Sequence, residues 1–183
     1  EARTVSRGDI RIENGMITQV SQSPLSANPN EHAVDCHGKY LAPGIIDIGV
    51  KVCEPGERHK ESFKSAGLAA AAGGITTMVT RPDTTPAIDS PETLEFIARR
   101  ANQATPVNVM PMAALTKGRK GREMSEIGFL IDAGAIAFTD CDHVVSNPKV
   151  FARALSYACA LGALVIAHPQ EPTLSKGATA TSG

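Results

Sequence analysis

Alternating apolar and polar positions mark the start of the chain as a small β unit. Apolar residues alternate with polar ones on both sides of Asn14-Gly15, within residues 9–20. Asn-Gly between two alternating runs is a strong β-hairpin signal, because both residues tolerate a positive φ. Residues 21–33 are rich in polar residues, Pro and Asn, which is typical of a loop. We therefore predict an N-terminal β-sandwich segment over residues 1–40.

From residue 41 onward, short apolar runs alternate with longer segments of helical periodicity. The pattern predicts strands over 39–52, 75–80, 106–115, 135–140 and 163–168, and helices over 60–74, 90–104, 122–134 and 147–162. Apolar strands that alternate with helices indicate a parallel sheet covered by helices. The pattern fits either an open doubly wound sheet or a (β/α)8 barrel. The chain would supply only part of a barrel, because a complete barrel takes about 250 residues.

The composition of the chain argues against several classes of function. The net charge of -1 gives no overall field that would attract nucleic acid or an acidic membrane surface. No apolar run approaches the roughly 20 residues of a membrane-spanning helix. The four cysteines are too widely spaced for a zinc ribbon and do not suggest a disulfide framework. We expect a soluble cytoplasmic protein with reduced thiols and no nucleic-acid or membrane partner.

Polar residues collect directly after the predicted strands. The first strand ends with Lys51 close to Cys53, the second is followed by Asp83, the fourth ends at Asp140, and the fifth ends at His168. In parallel α/β folds, functional residues gather where the carboxyl ends of the strands meet. We therefore expect a site at this rim. The sequence contains neither a dinucleotide-binding glycine motif nor a Gly-x-Ser-x-Gly elbow.

Two segments of the chain carry a family resemblance. PGIIDIGVKVCEPG, residues 43–56, and KESFKSAGLAAAAGGITTMVTRPDTTPAID, residues 60–89, closely resemble the start of the dihydroorotase group of the amidohydrolase superfamily. AGAIAFTDCD and IAHPQE extend the resemblance over essentially the whole chain. The resemblance implies a metal-assisted (β/α)8 barrel preceded by a small β unit, with residues 41–183 supplying about the first half of the barrel.

The resemblance also implies a chemistry and a pathway. Dihydroorotases interconvert dihydroorotate, a cyclic amide, and carbamoyl aspartate in pyrimidine biosynthesis. Zinc ions in such a site activate water and polarise the carbonyl group. Some family members lack metal ligands and serve as scaffolds for aspartate carbamoyltransferase. The catalytic aspartate and a later ligand histidine of the family are expected beyond residue 183.

Several positions depart from the family pattern. The family's Asp-x-His-x-His strand is here Asp47, Gly49 and Lys51, so both metal-binding histidines are absent. Regular alternation would put these three positions on one face of the strand. The arginine that grips the substrate carboxylate is here Cys53. The substrate-binding asparagine of Met-Pro-Asn-Thr is here Asp83, which can only accept hydrogen bonds.

Two family-equivalent metal positions persist, Asp140 and His168. A zinc site needs three or four ligands in a defined geometry, so we expect zinc to be absent or substoichiometric. We further expect Lys51 to take the place of the metal's charge by pairing with Asp140 or another rim acid. Three alternatives stay open: Lys51 reaches solvent, Lys51 is carbamylated and binds a metal, or His168 is a plain core histidine.

The resulting hypothesis is a non-catalytic dihydroorotase-like scaffold for aspartate carbamoyltransferase, within a homo- or hetero-oligomer. The alternative is an active cyclic-amide hydrolase, a dihydroorotase or a related ring hydrolase, with an altered metal site. The basic run at residues 117–122 is expected to be a solvated loop, with an anion-binding or partner-binding role as the alternative. Asp142 and His143 are expected to be loop residues without a role.

Overall fold

The structure is a computed structural model that describes residues 5–177. It divides into two compact units, with the boundary between Ala42 and Pro43. The first unit contains the antiparallel hairpin of β1 (Asp9–Glu13) and β2 (Met16–Ser21). Asn14 and Gly15 adopt φ angles of 52° and 76°, as the predicted turn requires. The hairpin prediction is confirmed, and the wider β-sandwich segment stays a prediction.

The second unit is a parallel sheet accompanied by helices. Its strands are β3 (Ile45–Val50), β4 (Ile75–Thr80) and β5 (Asn108–Pro111), and its helices are α1 (Phe63–Ala72), α2 (Pro91–Ala104), α3 (Ile127–Asp132), α4 (Pro148–Ala160) and α5 (Pro172–Ser175). The strands lie in the order β3-β4-β5. Phe138 extends the sheet by single parallel bridges to Ala113 and Val165. The predicted fourth and fifth strands are therefore present only as single bridged positions.

The order of the strands follows the order of the chain. This is the arrangement of a (β/α)8 barrel, whereas a doubly wound sheet reverses its strand order. Among the described residues, β3 has no sheet neighbour on its outer side. Its apolar side chains Ile45, Ile46 and Ile48 are exposed.

The helix boundaries follow from their caps. The Ser90 side chain accepts the Thr93 backbone N–H and Pro91 occupies the first helical position of α2, which confirms the predicted start. Helix α1 begins later than predicted, because Ser62 and Ser65 form a capping box. In α4 the cap is Asn147, whose side chain accepts two backbone N–H groups.

Helix α3 is shorter than the predicted helix over 122–134. Its first predicted turn is instead part of a loop that folds back, because Thr116 and Met124 form an antiparallel bridge. The Ser125 N–H donates to the Leu115 carbonyl at 3.0 Å. These backbone hydrogen bonds satisfy groups that a helix would otherwise use. The loop that follows β5 is consequently anchored at both ends.

A buried carboxylate ties the end of β3 to two helices. Glu54 is 5% exposed. Its Oε2 accepts the Phe63 N–H at 3.0 Å, and its Oε1 accepts the Arg100 Nε at 2.7 Å. A buried charge is tolerated when it is paired and hydrogen-bonded in this way.

No helix in the described part of the chain is long and apolar enough to cross a bilayer.

Candidate functional site

Strand β3 contains a β-bulge at Gly49. Ile48 and Val50 pair with consecutive residues of β4, which leaves Gly49 as the extra residue. Its φ is +92°, a conformation that favours glycine, and a Cβ placed there would meet nothing within 4 Å. The regular alternation behind the predicted shared face of Asp47, Gly49 and Lys51 is therefore interrupted. Asp47 itself is exposed.

Lys51 pairs with the acid that follows the neighbouring strand. Its Nζ lies 3.2 Å from Asp83 Oδ2, and Arg81 Nη2 approaches the same oxygen at 2.8 Å. The Asp83 side chain is only 3% exposed, whereas Lys51 and Arg81 are 56% and 28% exposed. A buried aspartate charge of this kind requires close cations. The rim acid that pairs with Lys51 is thus Asp83 and not Asp140.

A second acid continues the chain of opposite charges. Asp142 Oδ1 lies 3.5 Å from Arg81 Nη2 and 2.6 Å from Arg119 Nη2. Burial alone would raise the pKa of Asp142, but its own backbone N–H and the Arg119 guanidinium lower it overall. Asp142 therefore stays ionised between two arginines. We call the alternating series the charge ladder; its members are Lys51, Asp83, Arg81, Asp142 and Arg119.

Asp140 does not pair with Lys51, and its carboxylate has a structural role. It is 4% exposed, and its carboxylate accepts the Thr116 N–H at 3.0 Å and the Thr116 hydroxyl. The Thr116 Oγ1 in turn accepts the Gly121 N–H at 2.8 Å. Both carboxylate oxygens thus hold the loop that follows β5. The sequence analysis treated Asp140 as a family-equivalent metal position. In this structure its carboxylate binds Thr116 instead.

His168 lies at the surface near Asp140. Its Nε2 is 3.2 Å from Gln170 Oε1, and the ring is exposed, so His168 is not the plain core histidine of one alternative. Both His168 and Asp140 border a pocket of about 310 Å³, which Leu115 and Phe151 also line. The pocket contains polar groups and an apolar wall.

Burial limits the reactivity of one of the two cysteines near the site, Cys141. Burial raises the pKa of the Cys141 thiol, and the charge of Asp83 acts in the same direction. The thiol is therefore the stable form, and a thiol is a weaker nucleophile than a thiolate. Cys53, at the family's arginine position, is half-buried, and its backbone carbonyl accepts the Glu57 N–H at 2.7 Å.

The donor set of the described residues does not fit a zinc centre. Within residues 5–177, no three His, Cys, Asp or Glu side chains lie together in a group that could hold a metal ion. The Asp140 oxygens are engaged by Thr116. Lys51 places an ammonium group where the family has a histidine, and this positive charge opposes a second cation at short range.

Sequence reasoning missed three residues of the site. Arg81 was given no role, Arg119 was considered only within the basic run at residues 117–122, and Asp142 was regarded as a loop residue without a role, yet all three are members of the charge ladder. A signal existed for Arg81, because it stands two residues before Asp83 directly after a predicted strand. Arg119 and Asp142 are separated by 23 residues, and only the fold brings them together.

Comparison with solved structures identifies the architecture. The structure is similar to that of the L-hydantoinase (dihydropyrimidinase) of Arthrobacter aurescens, with a TM-score of 0.77 at 21% sequence identity. The match covers 92% of this chain and 38% of the hydantoinase. The fold is that of the amidohydrolase-type (β/α)8 barrel, of which this chain supplies a part.

Sequence comparisons then identify the family. The dihydro-orotase-like family matches residues 38–183. The dihydroorotase of Geobacillus thermodenitrificans is 38% identical over 177 residues, and that of Geobacillus kaustophilus is 39% identical over 178 residues. Each match covers 97% of this chain and 41% of the relative. The chain belongs to the dihydroorotase-like family, and it spans about two fifths of the length of these relatives.

Proposed function

We propose that the protein is a non-catalytic dihydroorotase-like component of pyrimidine biosynthesis that acts as a scaffold for aspartate carbamoyltransferase. The observation that carries this proposal is the pairing of Lys51 and Arg81 with Asp83. In the family pattern, the position of Lys51 provides a metal-binding histidine and the position of Asp83 a substrate-binding asparagine. Here they neutralise each other and are not available to a metal or a substrate.

The electrostatics of the rim support the loss of metal-dependent chemistry. A dinuclear zinc site requires several anionic or neutral ligands around two divalent ions. The rim instead contains three cations, Lys51, Arg81 and Arg119, within a continuous series of ion pairs. Two charges about 4 Å apart at an effective dielectric constant near 20 interact by about 4 kcal/mol. A divalent ion beside Lys51 would meet only part of this repulsion for each of its charges, because Lys51 is 56% exposed and paired with Asp83.

The framework around the altered positions supports a role in assembly. The buried Glu54 contacts and the anchored loop after β5 preserve the strand-end architecture. A fold kept intact without its chemistry is suited to binding a partner, although fold alone does not prescribe function. We accordingly propose a cytoplasmic hetero-oligomer with the transferase, in which zinc is absent or substoichiometric.

Three measurements on the full-length protein test the proposal. We expect less than stoichiometric zinc by elemental analysis, no ring closure of carbamoyl aspartate, and co-elution with aspartate carbamoyltransferase on a sizing column. The Geobacillus kaustophilus dihydroorotase, prepared in parallel, serves as the comparison for metal content and activity. Two stoichiometric divalent ions with turnover would contradict the non-catalytic assignment. Independent elution of the two proteins would contradict the scaffold role.

A second candidate, an active ring hydrolase with an altered metal site, is favoured by the pocket beside Asp140 and His168. Cys53 and Asp83 would then imply a substrate other than dihydroorotate. The expected result for this candidate is metal-dependent turnover of a cyclic amide such as hydantoin. That activity would have to disappear in a His168→Ala variant, whose exposed position makes a folding defect an inadequate explanation.

A further inference from the structure

The basic loop, residues 117–122, is held by hydrogen bonds along most of its length. The Gly118 N–H donates to Asp89 Oδ2 at 2.7 Å, and the Gly121 N–H donates to the Thr116 hydroxyl at 2.8 Å. The Arg119 Nε and Nη2 donate to the Asp140 carbonyl at 3.2 and 3.1 Å. Loops fixed to a scaffold in this way are suited to presenting functional side chains.

The basic loop contains two cations whose charge is not neutralised. Lys117 pairs with Glu123, and Arg119 pairs with Asp142. Lys120 and Arg122 are exposed, and neither forms an ion pair or a side-chain hydrogen bond within the described part of the chain. The backbone that carries these two cations is anchored, so less backbone entropy is lost when they bind a ligand than on a flexible loop.

A shallow cleft of about 740 Å³ lies beside these two cations. Its walls include Asp142, His143 and Val144. The His143 Nδ1 lies 3.0 Å from the Arg119 carbonyl oxygen. A carbonyl oxygen only accepts, so Nδ1 carries the proton and the ring orientation is fixed. Three positive side chains and one negative one line the cleft, which leaves a net charge of two positive units.

We propose that this cleft binds a phosphate group, either as the free ion or as a small phosphate monoester. The excess of two positive charges matches a phosphate dianion, whereas a single carboxylate would leave one charge uncompensated. Arg122 offers a planar guanidinium fork and Lys120 a mobile ammonium group, and both are common partners of phosphate oxygens. The Asp142 carboxylate does not block the site, because Arg119 and Arg81 already neutralise it.

The proposal is independent of the scaffold role. It depends on Lys120, Arg122 and the anchors of the basic loop, and it makes no use of Lys51 or Asp83. A polynucleotide is a poorer candidate than a small phosphate ligand. Single-stranded nucleic acid binds through stacking on aromatic side chains as well as through cations, and His143 is the one aromatic ring among the described residues that line the cleft, with no Phe, Tyr or Trp beside it.

Isothermal titration of the full-length protein with inorganic phosphate tests the site. The buffer should have an ionic strength of about 0.05 M, because salt screens exposed charges. The test variant is Lys120→Ala/Arg122→Ala. The matched control is Lys64→Ala/Arg99→Ala, which removes the same charges from exposed positions on α1 and α2. Glycerol 3-phosphate and acetate are titrated into the same preparations.

We expect saturable phosphate binding that weakens at least tenfold in the test variant and changes less than twofold in the control. Glycerol 3-phosphate should bind like phosphate, and acetate at least tenfold more weakly. The proposal is overturned if wild type shows no saturable binding, or if the control variant loses as much affinity as the test variant. Equal binding of acetate would also overturn it, because the cleft would then recognise only negative charge.

Discussion

The most informative perturbation of this protein is the removal of the Asp83 charge. Asp83→Asn keeps the shape of the side chain but leaves Lys51 and Arg81 without their shared acid. Loss of one partner from a fully buried ion pair costs about 3–5 kcal/mol, whereas an exposed pair contributes about 0–1 kcal/mol. Asp83 is buried, but Lys51 is 56% exposed and Arg81 retains Asp142. Asp83 Oδ1 is buried and has no hydrogen-bond partner within residues 5–177, so part of the free-energy cost of burying the carboxylate is not offset.

These opposing effects place the expected destabilisation between the two limits. We expect Asp83→Asn to lower the free energy of unfolding by about 1–2 kcal/mol, nearer the exposed limit because both cations regain water. Lys51→Met, which keeps the apolar stem, should cost about 0.5–1 kcal/mol. The double variant should show a coupling energy of about 1 kcal/mol, because residues in one ion-pair network are not additive.

The assay is urea denaturation of the full-length protein at neutral pH, followed for the wild type, both single variants and the double variant. Asp132→Asn with Lys64→Met forms the control cycle, since both residues are exposed and neither forms an ion pair within residues 5–177. The control cycle should be additive within about 0.3–0.5 kcal/mol. Additivity of the Lys51 and Asp83 variants within the same margin would refute the claim that the two charges stabilise each other.

Three further predictions concern neighbouring positions. Glu54→Gln should cost about 1–3 kcal/mol at neutral pH. Burial acts to raise the pKa of Glu54, but Arg100 and a backbone N–H lower it below 4.5, so the loss should shrink as the pH falls through that lowered value. Gly49→Ala should cost about 1–2 kcal/mol in urea denaturation, because φ is positive. Gly73→Ala, at φ -85°, should avoid that strain. Asp140→Asn should lower the urea midpoint in excess chelator, because both acceptor oxygens bind the loop.

Each of these predictions has an opposing result. A Glu54→Gln deficit that is constant between pH 7 and pH 3 would show that the ionised form contributes nothing. Equal effects of Gly49→Ala and Gly73→Ala would mean that the positive φ carries no strain. An unchanged midpoint for Asp140→Asn in chelator would remove its structural role and return Asp140 to the candidates for metal binding.

Local signals predicted the elements whose boundaries depend on neighbours in sequence. The Asn14-Gly15 turn and the Ser90 cap are decided within four residues, and both were predicted correctly. Strand β4 was predicted at its observed bounds because its β-branched run is uninterrupted. Helix α3 was predicted too long, because the bridge between Thr116 and Met124 competes for its first turn.

Long-range geometry decided the features that the sequence did not reveal. The pairing of Lys51 with Asp83 depends on where β3 and β4 end relative to each other, and a bulge at Gly49 shifts that register. A glycine inside an apolar run, such as Gly49, is a signal for a bulge, but the pattern does not give the register that results. The partner of Asp140 was also not predictable, because Thr116 lies 24 residues earlier and carries no charge.

The bulge and the ion pair change the interpretation of the two positions at which the family's histidines are absent, Gly49 and Lys51. Two absent histidines alone would describe a metal site that has lost its ligands. Because φ at Gly49 is positive, a histidine at this position would also be strained in the present backbone. The charge of Lys51 is paired with the buried carboxylate of Asp83. A protein stabilised in this way should lose stability when salt screens its partly exposed ion pairs and should ignore chelators, whereas a metal-stabilised relative should respond to chelators first. Measuring both responses on one preparation of the full-length protein therefore separates the scaffold proposal from the altered-hydrolase alternative without a known substrate.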